Sequence, residues 1–151
     1  MKFCGEKNIK FLEPRFFSLY GCGDYQGTLI MSMLDKMLKN EPCDLTDCTQ
    51  KWNFLNIKDA VNGIKIMIEN EDVRPGAYNF ASNDTRELKN FLLEMKAITK
   101  SNSKLNFGAI PHNDSGKYGI NPDVTKLLAT GWKPEVSFEN GIKELINNIR
   151  V

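Results

Sequence analysis

Apolar positions recur at helical spacing in four stretches of the chain. Residues 28–40 carry Ile30, Met33, Leu34, Met37 and Leu38. A second helix is predicted to begin at Asp59, with Val61, Ile64, Met67 and Ile68 as its inner face. The third opens behind Asp84 and Glu87, spaced as a capping box, and places Leu88, Phe91, Leu92, Met95 and Ile98 inward. The last starts at Ser137 and aligns Phe138, Ile142, Leu145, Ile146 and Ile149. A shorter helix over 124–129 stops at Gly131, with Pro134 beyond it.

Between these lie shorter apolar runs. "IKFLEPRFFSLY" is predicted to be a buried strand interrupted by Pro14, and "EPCDL" a short strand after a proline turn. "KWNFLNI" alternates weakly, "RPGAYNFAS" is a Pro-Gly turn leading into a strand, and "KLNFGAIP" is another strand. Strands and helices mix without a clean βαβαβ rhythm at the start. No repeat, linker or low-complexity stretch divides the chain, so residues 1–151 are taken as one domain.

Charge narrows the partners. Twenty basic and 19 acidic residues are scattered along the chain, with no basic stripe for nucleic acid. No apolar run approaches a bilayer span, and "MKFCGEKNIKF" lacks the apolar centre of a signal peptide. Cys4, Cys22, Cys43 and Cys48 form no C-x-x-C pair, and His112 is the one histidine. A structural zinc site needs closer-set ligands, so no metal is expected, and a reducing cytoplasm accounts for the unpaired thiols.

"LYGCGDYQGTLI" poses a sharper question. Gly21, Gly23 and Gly27 lie between a strand-like run and a helix, the context of a dinucleotide fingerprint. The spacing has one residue too many, and Asp24 puts a negative charge where a pyrophosphate would sit. The glycines are therefore read as a sharp turn rather than a cofactor cradle. Cys22 lies in the same loop and is reactive only if its pKa is depressed.

Four segments in order resemble motifs of the extended short-chain dehydrogenases, the NAD-dependent epimerase/dehydratase family that includes UDP-glucose 4-epimerase-like enzymes. "PRFFSLYGCGDYQGTLI" is similar to the family's PRxxNxYGPGD segment, and "TQKWNFLNIKDAVNGI" to RDFxYVxDxAxAI. "GAYNFASNDTRELKNFL" resembles GxYNIGSGxxxSLxEL, and "NPDVTKLLATGWKPEVSFENGIKELI" resembles the final xxDxSKxxxxLGWxPxxSLEEGI. The 151 residues contain neither the family's glycine fingerprint nor its Tyr-x-x-x-Lys pair. The resemblance then implies the C-terminal, substrate-binding half: a mixed α/β unit of the last Rossmann strands and a nucleotide-sugar subdomain, lacking the N-terminal dinucleotide-binding βαβ units.

The resemblance also implies roles, each beside a plainer one. Phe17 and Ser18 fall where the family approaches the nicotinamide and the sugar, with Ser18 in place of the usual Asn; the phenylalanines serve equally as strand residues. Thr28 and Leu29 open the helix that the family turns toward the nucleotide, and Thr28 equally suits an N-cap. Trp52 replaces an Arg that contacts the diphosphate, which leaves that charge to Lys51. Asn53 and Asn56 are further departures, standing for Asp and Tyr, and a polar loop is the alternative there. His112 and Lys117 fall in a loop that often carries a phosphate-binding Arg, or are simply solvated. Arg15 needs an acceptor if it lies under a sheet, and Trp132 reads as core packing.

No catalytic residue is expected in these 151 residues. The family's NAD(P) is not expected to bind tightly to the chain alone, and turnover is expected to need a separate N-terminal polypeptide. The implied partners are a nucleotide-sugar and either that polypeptide or a second copy. The alternative reading is a non-catalytic interaction module or a degenerate remnant.

Overall fold

The computed structural model describes residues 2–7, 9–111 and 119–149. In chain order the elements are α1 (Lys2–Glu6), β1 (Leu12–Phe16), β2 (Leu19–Tyr20), α2 (Leu29–Leu38), β3 (Cys43–Asp44), β4 (Lys51–Asn53) and β5 (Leu55–Asn56). They continue with α3 (Ile57–Glu69), β6 (Gly76–Phe80), β7 (Thr85–Glu87), α4 (Leu88–Thr99), β8 (Leu105–Asn106), α5 (Thr125–Leu128) and α6 (Phe138–Ile149). The fold is mixed α/β with three parallel pairs, β1·β6, β2·β5 and β3·β8, and one antiparallel pair, β4·β7.

Two apolar clusters organise these pieces. In the first, α2, α4 and α6 pack around Phe54, whose ring meets Phe91 edge-on at 5.1 Å and stacks on Phe138 at 5.7 Å. Tyr20 completes it by lying against Gly141, where any side chain would collide with its ring. The second joins β6, α3 and α5 through Tyr78, Phe80, Leu127 and Trp132. Gly63 makes the same kind of room here, because a Cβ on it would run into Phe80 and Trp132.

Several predicted elements change in detail. α2, α4 and α6 bury the faces their spacing predicts, except that Leu38 and Ile98 are only partly buried and Ile149 is exposed. α3 starts two residues earlier than predicted, on an Asn56 cap; of the predicted face it keeps Ile64 and Met67 against the core and turns Val61 and Ile68 outward. Val61 and Ile68 are 58% and 75% exposed, whereas Asp59, Ala60, Gly63 and Met67 are buried. The small residues win that face because only they let the Phe80 and Trp132 rings reach the helix.

The capping box does not form. Glu87 is the N-cap of α4 but makes no side-chain cap bond, and Asp84 pairs with Arg86 at 3.2 Å instead. The strand predicted as buried is split into β1 and β2, and β1 is largely exposed. Arg15 finds its acceptor beside it rather than under a sheet, its Nε donating to Glu13 Oε1 at 2.8 Å in an exposed pair. Each group holds the other charged: the Glu13 carboxyl is lowered and the Arg15 guanidinium raised. Trp132 is fully buried, as expected of core packing.

Candidate functional site

The glycine loop lies against the first turn of α3. Gly21 sits where a side chain would strike Ile57, and Gly23 takes φ +85°, a left-handed conformation that glycine adopts without strain. Leu19 to Asp24 and Ile57 enclose a cavity of about 150 Å³. The loop then turns into α2 on its own acceptor. Asp24 takes the Tyr25 amide at 2.8 Å on one oxygen and the Thr28 hydroxyl at 3.0 Å on the other. Thr28 in turn accepts from the Met31 amide at 3.5 Å, so it is the N-cap of α2. A carboxylate therefore already occupies the entrance to this helix, as the reading against a phosphate cradle requires.

Cys22 is exposed but not activated. Its thiol donates to Glu144 Oε1 at 3.5 Å and accepts from the Asn148 amide at 3.0 Å. Desolvation, then that bond to a carboxylate, raises its pKa. Lys58 holds the same Glu144 oxygen at 2.6 Å, which keeps the carboxyl below its ordinary range. The other cysteines are free as well, Cys43 and Cys48 in the core.

The β4–β7 ribbon holds the second group of predicted residues. Lys51 is exposed, and its carbonyl accepts from the Ile120 amide at 3.0 Å. Trp52 lies opposite Arg86 across the ribbon and packs toward Phe54 at 6.4 Å. Its indole N–H is shielded from solvent with no partner. Arg86 stacks on Phe91, with its guanidinium carbon 4.1 Å from the ring centroid, and is paired with Glu94 and Asp84. Its charge is spent inside the fold, which leaves Lys51 as the exposed cation of this ribbon.

Leu29 and Trp52 pack against the same core cluster, which puts the two predicted substrate contacts on one body. Phe17 and Ser18 lie at the end of β1. Phe17 is exposed, and the Ser18 carbonyl accepts from the Leu55 amide at 2.9 Å. His112 and Lys117 lie outside the described residues. Among the described residues no three His, Cys, Asp or Glu side chains converge as a metal site, and no helix is long and apolar enough to cross a membrane.

Two buried polar side chains position the loops around this region, and sequence reasoning missed the roles of both. Asn53 donates to the carbonyls of Ser82 and Asp84 and to the Thr85 hydroxyl, while its oxygen accepts from Ser82. Asp59 accepts the Glu135 and Val136 amides, one on each oxygen, both at 3.0 Å. Its carbonyl accepts the Trp132 indole at 2.9 Å. The available signal was a polar residue inside an apolar run, since burial of such a group requires partners. Tyr20 is the odd one out. Its hydroxyl is buried without a bond, and desolvation pushes its pKa up to about 12.

Parallel strands with α-helices packed on them, joined by glycine-turn connections, define an α/β protein of Rossmann type, and comparison with known proteins gives the family. A model described as the NAD dependent epimerase/dehydratase family matches residues 2–81. The chain belongs to that family. CDP-abequose synthase of Salmonella muenchen is 30% identical over 141 residues, 93% of this chain and 48% of its own length. dTDP-4-dehydro-6-deoxyglucose reductase of Escherichia coli is 26% identical over 150 residues, 96% of this chain and 46% of its own. Among solved structures, UDP-glucose 4-epimerase of Thermotoga maritima with UDP-glucose matches at TM-score 0.85 and 21% identity, over 99% of this chain and 48% of that one. The Thermus thermophilus UDP-glucose 4-epimerase complex with NAD gives 0.83 and 17%, over 99% and 50%. The chain thus spans about half the length of the curated relatives it matches.

These findings correct the expected half. The chain was expected to be the C-terminal, substrate-binding part of an extended short-chain dehydrogenase, without the dinucleotide-binding units. The family match instead covers residues 2–81 and lies over the dinucleotide-binding region, and the matched half is the Rossmann part. The supported description is a mixed α/β fold with parallel strands, matching about half of an epimerase chain. The physical reason is that short motifs in order report membership, whereas a Rossmann unit is defined by parallel pairing. That pairing, β1·β6, β2·β5 and β3·β8, becomes visible only in three dimensions.

Proposed function

We propose that this chain is a portion of an NAD(P)-dependent nucleotide-sugar epimerase, dehydratase or reductase, and that its 151 residues bind a nucleotide-sugar without turning it over alone. The observation that carries this is the similarity, over 93% of the chain, to a curated enzyme named for a CDP-sugar. The family uses NAD(P) and takes nucleotide-sugars. The inactivity follows from the absent Tyr-x-x-x-Lys pair, which in the resembled enzymes supplies the acid/base group beside the nicotinamide.

In this reading α2 and β4 form the substrate wall. Leu29 and Trp52 offer apolar surface for a base or sugar, while Lys51, His112 and Lys117 supply charge for the diphosphate. Thr28 contributes by fixing the start of α2. Phe17 and Ser18 face the cofactor. Trp52 in place of an Arg shifts recognition from charge toward stacking, and the charge moves one residue, to Lys51. The four free thiols fit a reducing compartment such as the cytoplasm.

Thermal unfolding of the purified chain with CDP, UDP, dTDP, ADP or NAD tests the proposal. An upward shift with one nucleoside diphosphate, weakened in Lys51→Ala and absent with NAD, is the expected result. Tight NAD binding, or no shift with any nucleotide, overturns it.

A further inference from the structure

A cavity of about 400 Å³ lies at the starting end of β6, between the last residue of the α3 cap, the 70–74 turn and α5. The parallel register sets Leu12 beside Gly76 and Phe16 beside Phe80, so Phe17 and Ser18 leave the sheet at its other end. The length of the strands separates the two places by roughly 13 Å. Ligand sites span roughly 300–1,000 Å³. This cavity is at the small end of that range, a size for one sugar ring with a substituent rather than for a dinucleotide.

Bonds to backbone fix its frame. Val73 and Tyr78 line it and are themselves buried. Asn70 folds the turn, its Oδ1 accepting the Asp72 amide at 2.9 Å and its carbonyl the Val73 amide at 3.2 Å. The Tyr78 hydroxyl donates to the Arg74 carbonyl at 2.6 Å. Lys10 Nζ donates to the carbonyls of Asn70 and Glu71, which ties the turn to the residues before β1. Lys126 is held over the Tyr78 ring, 4.0 Å from its centroid, and donates to the Ala77 carbonyl at 3.1 Å and the Pro75 carbonyl at 3.5 Å. An ammonium has three protons, so one is left for a further acceptor.

The charges around this cavity are not spent on one another. Glu13 and Arg15, two residues apart, close an ion pair at 2.8 Å. Asp72 and Arg74 have the same spacing and line the same cavity, yet no ion pair joins them. Among the described residues neither the Asp72 carboxylate nor the Arg74 guanidinium has a partner, and Lys126 is paired with no carboxylate. A guanidinium fork, a fixed ammonium and a carboxylate therefore border one space without neutralising each other. That set suits a ligand that is anionic at one end and carries hydroxyl donors at the other.

We infer that this cavity binds a monosaccharide phosphate, with the phosphoryl oxygens on Arg74 and Lys126 and the sugar hydroxyls donating to Asp72. The planar fork of Arg74 matches two phosphoryl oxygens, and the ammonium of Lys126 adds a point charge. Inorganic phosphate alone would use the cations and leave the Asp72 carboxylate facing a like charge. A nucleobase finds no free aromatic face here, because Lys126 already covers the buried Tyr78 ring. The site is separate from the proposed nucleotide-sugar wall and does not depend on it.

Glucose 1-phosphate is the probe, titrated into the isotope-labelled chain while amide shifts are read by NMR. Saturating shifts are expected in residues 70–74 and 126–130, with inorganic phosphate and glucose each binding about tenfold more weakly. Arg74→Gln, whose side chain makes no bond among the described residues, should weaken glucose 1-phosphate about tenfold and leave the unfolding midpoint of the free chain in place. Ala129→Trp, which fills the cavity from an exposed position, should abolish binding. Asp72→Asn should narrow the preference for glucose 1-phosphate over inorganic phosphate. Absence of shifts with glucose 1-phosphate overturns the inference. So do equal affinities for it and for inorganic phosphate, which would make this a general anion site, or an affinity unaltered in Arg74→Gln. Shifts confined to residues 17–29 and 51–56 would send the probe to the substrate wall and overturn it as well. Nucleotide-induced thermal shifts report separately on the proposed function, so either reading can fail without the other.

Discussion

The two apolar clusters were built by different means. Around Phe54, three helices and their connecting strands close the core on every side, and the spacing of apolar residues along α2, α4 and α6 nearly suffices to describe it. Around Phe80 the core depends on close approaches at Gly63, on a buried aspartate and on a sheet of two strands. Its outer strand leaves Phe16 and Phe17 in solvent. Helices satisfy their own backbone and can finish a core alone, whereas a two-stranded parallel pair leaves backbone groups unpaired along its outer edges. The helical cluster is thus self-sufficient and the strand cluster is not.

The contrast is broken most severely at Trp132. Trp132→Ala empties the centre of the strand cluster and removes a donor to the Asp59 carbonyl. It is expected to cost about 3–5 kcal/mol, read from urea unfolding. Asp59→Ala leaves the Glu135 and Val136 amides without their acceptor, for an expected loss of roughly 2–4 kcal/mol. Equal sensitivity of α6 amides to hydrogen exchange in that variant would show that the two clusters unfold as one.

The helical cluster is challenged by Gly141→Ala, which drives a methyl into Tyr20 and is expected to cost about 1–3 kcal/mol. Thr28→Ala removes a long cap bond from α2 and should cost about 1 kcal/mol or less. If Asp24 carries the capping role with it, Asp24→Ala will match that loss.

The smallest expected effect is electrostatic. Lys58 holds the Glu144 carboxyl below its ordinary pKa of 4.5, so the pair contributes stability above that value and loses it as pH falls through the lowered pKa. Both groups are substantially exposed, and Glu144→Gln should remove the pH dependence while barely moving the unfolding midpoint at pH 7. In the same variant Cys22 loses its carboxylate acceptor, and its reaction with a disulfide reagent at pH 8 should quicken.

Legibility followed the kind of signal. The turn reading of the glycine loop rested on the charge of Asp24, and that carboxylate is found seated at the start of α2. The inner face of α3 was read correctly at Ile64 and Met67 but misjudged at Val61 and Ile68, which are more apolar than Ala60 and Gly63, although the small residues face the core. Asn53 was noticed only as a departure from a motif; its part in holding the 82–85 loop depends on residues some thirty positions away. The capping box at Asp84 and Glu87 was a correct local pattern overruled by β7 and by Arg86, which drew Asp84 away.

By itself the sequence determined that α2 to α6, though not α1, become helices, where the glycine loop turns and to which family the chain belongs, since periodicity and motif order are properties of neighbouring residues. The tertiary structure alone decided that three strand pairs run parallel, that Arg86 is neutralised beside Trp52, and that β1 presents an open edge interrupted at Pro14. Those outcomes turn on partners far apart in the chain, and a residue's own type does not say which of them will arrive.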